Sequence, residues 1–133
     1  TLTQIGVEST GRQNGMSYVV KLADGSFMVF DGGAQNCSPL LMAALEELAD
    51  DPEHITIAAW VLTHMHNDHA FSLREIAAKP EYLSKLTVER FIWNRWQPAR
   101  RMHPSFWKAK AMRKLALETC PRCWKAIKIP AGW

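Results

Sequence analysis

The chain contains the stretch Thr63-His64-Met65-His66-Asn67-Asp68-His69, which holds three of its five histidines. This stretch follows the most continuously apolar run of the sequence, Ile55 to Leu62. Imidazole nitrogens and carboxylate oxygens are the ligands that zinc and similar divalent metals prefer in proteins. The sequence therefore predicts a metal site directly after a buried strand.

The spacing of these residues suits such a site. If the chain leaves the strand in an extended form, His64 and His66 point the same way, because side-chain direction repeats every second residue. If a helix then begins near Asn67, its first turn places Asp68 and His69 close to the same point. One corner between a strand and a helix would then supply four ligands, two to each of two neighbouring metal ions.

The composition describes a folded protein of modest size. The 133 residues correspond to one domain or to part of a larger one, and 47% of them are apolar and 22% charged. No apolar run approaches the ~20 residues that span a bilayer. Three cysteines are too few for a disulfide framework, which favours a reducing, cytoplasmic location.

The charge is unevenly distributed along the chain. Residues 1–89 carry 5 Lys and Arg against 12 Asp and Glu, whereas residues 90–133 carry 11 against the single Glu118. Five of the six tryptophans lie in the basic part, so this part could stack on and bind single-stranded nucleic acid. Acidic and basic parts that face each other and neutralise in the fold are the alternative, which we favour.

Strand and helix signals alternate along the chain. Branched, aromatic and apolar runs predict strands at Leu2–Val7, Met16–Leu22, Phe27–Phe30, Ile55–Leu62 and Thr87–Trp93, and a further strand at Ile127–Ile129. Apolar residues at helical spacing predict helices between Ser38 and Asp50, over Asp68–Ala78 and over Pro104–Glu118. The hydroxyl of Ser38, followed by a proline, is expected to cap the first of these helices.

This order indicates an α/β protein that begins with a β-hairpin. A turn at Ala23–Ser26 joins the two hairpin strands, and the second strand ends in Asp31-Gly32-Gly33. Ligands of α/β sheets gather at the carboxyl ends of strands. Both Asp31 and the histidine cluster follow predicted strands, so we expect them to share one edge of the sheet.

The combination of Asp31-Gly32-Gly33, a helix, a buried strand and His64-x-His66-x-Asp68-His69 resembles the N-terminal half of the metallo-β-lactamase-fold hydrolases. The resemblance runs from about Met16 to Phe71. It implies half of an αβ/βα sandwich, with the metal site at one edge of the two sheets.

The resemblance also implies roles for individual residues. His64 and His66 would bind the first metal ion, and Asp68 and His69 the second. Asp31 would hydrogen-bond the loop that carries the histidines. The expected cofactor is a pair of zinc ions, with iron or manganese as alternatives. Metal-activated hydroxide would attack an ester, thioester, lactam or phosphodiester, and Asp68 could orient that hydroxide or carry a proton.

The chain departs from the family pattern after His69. Only one histidine, His103, and no aspartate follow it, whereas the family completes its metal shells with further ligands. We expect His103 to be a surface or capping residue and Cys120-Pro121-Arg122-Cys123 to be structural. Residues 1–133 are therefore interpreted as the N-terminal part of a single metallo-β-lactamase-like domain whose C-terminal half is absent.

This interpretation leaves other roles open. The chain could be a catalytically incomplete fragment, or an interaction half whose exposed sheet face is covered by self-association or by a complementary chain. A weaker alternative is a nucleic-acid-binding module that uses the basic part, residues 90–133. We expect no membrane partner.

Overall fold

A computed structural model describes residues 1–6, 15–64 and 66–93. The six strands are β1 Leu2–Gly6, β2 Met16–Lys21, β3 Phe27–Phe30, β4 Ile55–Leu62, β5 Leu86–Val88 and β6 Phe91–Trp93. The helices are α1 Ser38–Leu48, α2 Asn67–Ala78 and α3 Pro80–Leu83, with a short 3-10 helix at Gln35–Cys37. The predicted helix Pro104–Glu118, the predicted strand Ile127–Ile129, His103 and the two cysteines at 120 and 123 lie outside the described residues.

One mixed sheet contains all six strands. β1, β2 and β3 pair antiparallel in sequence order, and the β2–β3 pair confirms the predicted hairpin. β4 lies beside β3 and runs parallel to it, and β5 and β6 both pair parallel with β4. The predicted α/β class is therefore confirmed. None of the helices in the described ranges has the length and apolarity that a membrane span requires.

The prediction of one strand over Thr87–Trp93 is wrong, because the structure has two short strands there. β5 pairs with Ile55–Ile57 and β6 with Trp60–Leu62, so the break lies opposite residues 58 and 59 of β4. On its other side, β4 also shifts register against β3 at this point. The irregularity of β4 therefore interrupts the neighbouring strand, and sequence propensity does not report such a register shift.

The hydrophobic core lies on one face of the sheet, beneath α1 and α2. Alternate residues of the strands point into it, and the helices contribute apolar side chains from their inner faces. The largest fully buried side chains include Trp60, Phe27, Leu41, Leu45 and Leu73. The unbroken apolar sequence of β4 predicts burial on both faces. Five of its eight residues are buried, whereas Thr56, Ala58 and Val61 are only partly buried.

The opposite face of β2 and β3 carries four large side chains that are mainly apolar. Tyr18 pairs with Phe30 and Val20 with Met28, and these four side chains alternate with the core residues Val19 and Val29 of the same strands. None of the four belongs to the core cluster. The expectation that self-association or a complementary chain covers this face stays a prediction.

The prediction that the Ser38 hydroxyl caps α1 is wrong. A 3-10 turn at Gln35–Cys37 leads directly into α1, so Ser38 already has helical backbone angles (φ −56°, ψ −41°). Its hydroxyl donates to the carbonyl oxygen of Gln35 at 3.2 Å instead of accepting from a free N–H group. A hydroxyl in helical backbone bonds to a preceding carbonyl, as here.

The turn at Asp31-Gly32-Gly33 has two residues in the left-handed region, Asp31 (φ 57°) and Gly33 (φ 80°). Glycine is required at position 33 for two reasons. The backbone there is left-handed, and an added Cβ would lie 2.5 Å from the sulfur of Cys37. Gly32 allows close packing instead, since a Cβ there would lie 3.3 Å from Cβ of Ser72 and 3.5 Å from the ring of Trp60. This turn delivers Asp31 to the edge of the sheet at which β4 ends.

Gly33→Ala tests this account of the turn. The left-handed backbone should cost about 1–2 kcal/mol of the free energy of unfolding, and the contact with Cys37 should add to that loss. Urea unfolding of the variant and of Gly6→Ala gives the comparison. Gly6 is the matched control because an added Cβ there meets nothing within 4 Å. Equal stability of the two variants would contradict the role of this turn.

Candidate metal centre

The histidine cluster lies at the carboxyl end of β4, where the chain turns into α2. β4 ends at Leu62 and α2 begins at Asn67, with His66 in extended conformation just before the helix. The ring centroid of His64 lies 3.8 Å from that of His69 and 4.7 Å from that of His66. The strand and the first turn of the helix therefore converge as the spacing predicts.

Three of the predicted ligands form a compact group. One donor atom from each of His64, Asp68 and His69 lies within 4.8 Å of the other two. Around a tetrahedral zinc ion, donors ~2.1 Å from the metal are ~3.4 Å apart, and Oδ2 of Asp68 and Nε2 of His69 are 3.5 Å apart. Small movements of the side chains would bring the third donor to the same spacing, so this group fits one divalent ion.

His66 lies beside this group and not within it. Its side chain is exposed, and its ring meets that of His64 edge-on at 78°. The resemblance pairs His64 with His66 and Asp68 with His69, whereas the structure brings His64 nearest to His69. The assignment of these four residues to particular ions stays a prediction.

Asp31 connects the end of β3 to both sides of the cluster. Its Oδ1 accepts the backbone N–H of Thr63 at 2.8 Å, and its Oδ2 accepts the Thr63 hydroxyl at 2.7 Å. Oδ2 also lies 2.9 Å from Nδ1 of His69. The Asp31 side chain is only 9% exposed. A buried carboxylate requires such partners, because an unpaired one would lose its hydration without compensation.

These contacts assign the tautomers of two histidine rings. An ionised carboxylate only accepts, so Nδ1 of neutral His69 must carry its proton toward Asp31. The Thr63 hydroxyl proton points at Asp31 for the same reason. The Thr63 oxygen then accepts from Nδ1 of His64, which lies 3.1 Å away. In the neutral form of each ring, Nε2 is therefore the unprotonated atom that the ring can offer to a metal ion.

The electrostatic environment also favours a neutral His64. Burial, followed by the nearby rings of His69 and His66, lowers the pKa of His64 below its ordinary value of 6.5, although Asp31 and Asp68 oppose this shift. A neutral imidazole is the form that binds metal. His64 is therefore ready to act as a ligand at neutral pH.

Backbone hydrogen bonds fix the first turns of α2 against the 31–33 turn. The N–H of Gly32 donates to the carbonyl oxygen of His69 at 2.8 Å, and that of Ser72 donates to Gly33 at 3.2 Å. The absence of a side chain at Gly32 permits this approach. The helix that carries Asp68 and His69 is thereby held next to the residue that orients them.

Sequence reasoning missed two residues of this site, Thr63 and Trp60. Thr63 links Asp31 to His64, and Trp60 donates its indole N–H to the backbone oxygen of Asp31 at 2.8 Å. The position of Thr63 beside the first histidine was the one available signal. Asp31, the partner that the two residues share, lies 29 positions from Trp60 and 32 from Thr63 in the sequence, and no local pattern reveals it.

Comparison with known proteins agrees with this architecture. The family model of the metallo-β-lactamase superfamily matches residues 10–108, which is most of the chain. This chain therefore belongs to the metallo-β-lactamase superfamily, as the histidine motif and Asp31 predict.

Among solved structures, the chain is similar to the metallo-β-lactamase MIM-1 from Novosphingobium pentaromativorans. The two sequences are 24% identical over the matched part, which covers 57% of this chain and 25% of that chain, and the TM-score is 0.41. The matched part thus spans a quarter of the length of that protein. No curated protein matches the chain.

Thr63→Val tests the link between Asp31 and His64. Valine keeps the shape of threonine but removes the hydroxyl, so His64 loses the acceptor that holds its Nδ1 proton. Loss of such an outer partner typically weakens metal binding by ~10–100-fold. Competition of the protein with a chromophoric chelator for Zn²⁺ measures this. Thr87→Val, at an exposed position of β5, is the control, and equal affinities of the two variants would refute the link.

Proposed function

We propose that this chain carries the metal-binding part of a divalent-metal-dependent hydrolase. The observation that supports this proposal is the convergence of His64, Asp68 and His69 at the carboxyl end of β4, with their orientation controlled by Asp31. The members of the superfamily are largely hydrolases, which agrees with the chemistry of this donor set.

His64, Asp68 and His69 would hold an ion. The neighbouring His66 would act as a further ligand of this ion or of a second one. Two imidazoles and a carboxylate favour zinc, and iron or manganese accepts the same donors. A bound divalent ion would lower the pKa of water to ~7 and polarise the carbonyl or phosphoryl oxygen of a substrate. Three protein ligands to one ion are the usual number at a catalytic zinc site.

The side chains of this site have distinct tasks in such a reaction. Asp68 is 47% exposed, so its carboxylate can reach a substrate as well as an ion and can carry a proton during hydrolysis. His69 is 20% exposed and keeps its orientation through Asp31. Asp31 itself is too buried to touch a substrate, and its task is to position the other residues.

The proposed substrates are esters, thioesters, lactams and phosphodiesters. Each has an electrophilic carbon or phosphorus bonded to an oxygen atom that a metal ion polarises, and each is cleaved by attack of hydroxide. One metal centre therefore serves all four classes, and the walls of the substrate pocket select among them.

Metal content tests the proposal directly. We expect the purified protein to bind a divalent metal, and His64→Ala and Asp68→Ala to weaken its binding by ~10-fold or more, since each removes one ligand. Elemental analysis and zinc titration provide the measurement. His54→Ala is the matched control, because His54 is an exposed histidine that pairs with Asp51 in the turn before β4. Metal content unchanged by both ligand substitutions would exclude the site.

Asp68→Asn separates catalysis from binding. At saturating metal, we expect hydrolysis of chromogenic ester, thioester, lactam and phosphodiester substrates to fall by ~10²–10⁴-fold, because an amide cannot accept a proton. The rates of the metal-loaded wild type and of His54→Ala provide the reference. The same rate in Asp68→Asn would remove Asp68 from the reaction. Metal-loaded wild type that hydrolyses none of the four classes would favour a catalytically incomplete fragment over a chain that is active by itself.

A further inference from the structure

The backbone of Asp31 has a conformation that side chains other than glycine rarely adopt. Its φ angle is 57°, and it is the one non-glycine residue with positive φ among the described residues. Aspartate tolerates this left-handed region better than most residues, yet the conformation is still disfavoured and persists only where neighbours enforce it. Contacts with neighbouring residues must therefore hold Asp31 in this conformation.

Two contacts hold the backbone of Asp31 on either side of its Cα atom. Its N–H donates to the carbonyl oxygen of Val61 at 2.7 Å, which continues the ladder between β3 and β4. Its carbonyl oxygen accepts the indole N–H of Trp60 at 2.8 Å, in a buried environment. The Ser17 hydroxyl also approaches this oxygen, but at 3.5 Å it contributes less, and it lies nearer the carbonyl oxygen of Phe30 at 3.3 Å.

Packing on all sides holds the indole of Trp60 in place as a donor. The residue is fully buried, and its ring stacks against Phe91 with centroids 6.5 Å apart and an interplanar angle of 27°. The ring also lies close to Gly32, where an added Cβ would be 3.5 Å from it. A hydrophobic residue that only filled the core would need no N–H at this point.

We infer that Trp60 is a positioning residue for the candidate metal centre, acting through Asp31. Its indole N–H holds the Asp31 carbonyl, and the left-handed backbone then directs the Asp31 carboxylate to Thr63 and His69. The carboxylate in turn orients the rings of His69 and, through Thr63, of His64. This inference rests on the proposed metal-binding function, but its effect on the histidine rings exists in the metal-free protein as well.

Trp60→Phe tests this chain of contacts, since phenylalanine keeps an aromatic ring but donates no hydrogen bond. We expect zinc binding to weaken by ~10–100-fold, the range typical of a lost outer partner. In the metal-free protein, ¹⁵N NMR of the histidine rings should show that His64 and His69 change from one tautomer to a mixture. Leu45→Ala is the control: Leu45 is a fully buried core residue of α1, and its truncation should lower stability without changing either readout.

A double-mutant cycle with Asp31→Asn tests whether Trp60 acts on the histidine rings through Asp31. Asparagine also tolerates the left-handed region but cannot accept as an ionised carboxylate does. In that background Trp60→Phe should have little further effect on zinc affinity, because Trp60 acts through Asp31. Full additivity of the two effects would overturn the inference, as would wild-type tautomers and wild-type affinity in Trp60→Phe.

A second replacement covers the case in which Trp60→Phe does not fold. Benzothienylalanine at position 60 keeps the size of the indole and replaces its N–H with sulfur, so packing against Phe91 is retained. We expect the same loss of zinc affinity and the same mixture of histidine tautomers as in Trp60→Phe. Wild-type zinc affinity together with wild-type tautomers would overturn the inference. If the wild type binds no metal, the proposed function fails, whereas the NMR readout still decides whether Trp60 orders the two rings.

Discussion

The buried carboxylate of Asp31 is the constraint on which the geometry of the candidate metal centre depends. It lies at the end of β3, yet its partners are Thr63 after β4 and His69 in α2. A carboxylate in this environment needs hydrogen-bond donors, and these two residues supply them. Satisfying one buried charge therefore sets the positions of the strand end, the helix start and two imidazole rings. The arrangement of the candidate metal centre follows from that requirement.

The parallel pairing of β3 and β4 makes this arrangement possible. Because the two strands run in the same direction, both carboxyl ends reach the same edge of the sheet. β4, like β2 and β3, has partners on both sides, and its own buried residue Trp60 donates a hydrogen bond to the carbonyl oxygen of Asp31. A residue buried in the core and a partly exposed cluster of candidate ligands are thus linked through a single turn.

Hydrogen bonds within the protein orient the candidate donors of this site. Nδ1 of His69 and, through Thr63, Nδ1 of His64 are occupied by hydrogen bonds, and the low pKa of His64 keeps that ring neutral. Nε2 of His69 and the Asp68 carboxylate, both acceptors, face each other at 3.5 Å, a contact that a cation between them would stabilise. Preorganisation of this kind reduces the entropy that binding would otherwise lose.

The sequence by itself determined the α/β class, the hairpin, the buried strand Ile55–Leu62 and the convergence of His64 with His69, because periodicity, turn residues and ligand spacing are local signals. Tertiary structure alone decided the break between β5 and β6 and the helical conformation of Ser38. It also decided the position of His66 beside the three-donor group and the contacts of Thr63 and Trp60 with Asp31. Each of these depends on strand register or on atoms brought together from distant positions. Local propensity contains no information about such contacts until the chain has folded.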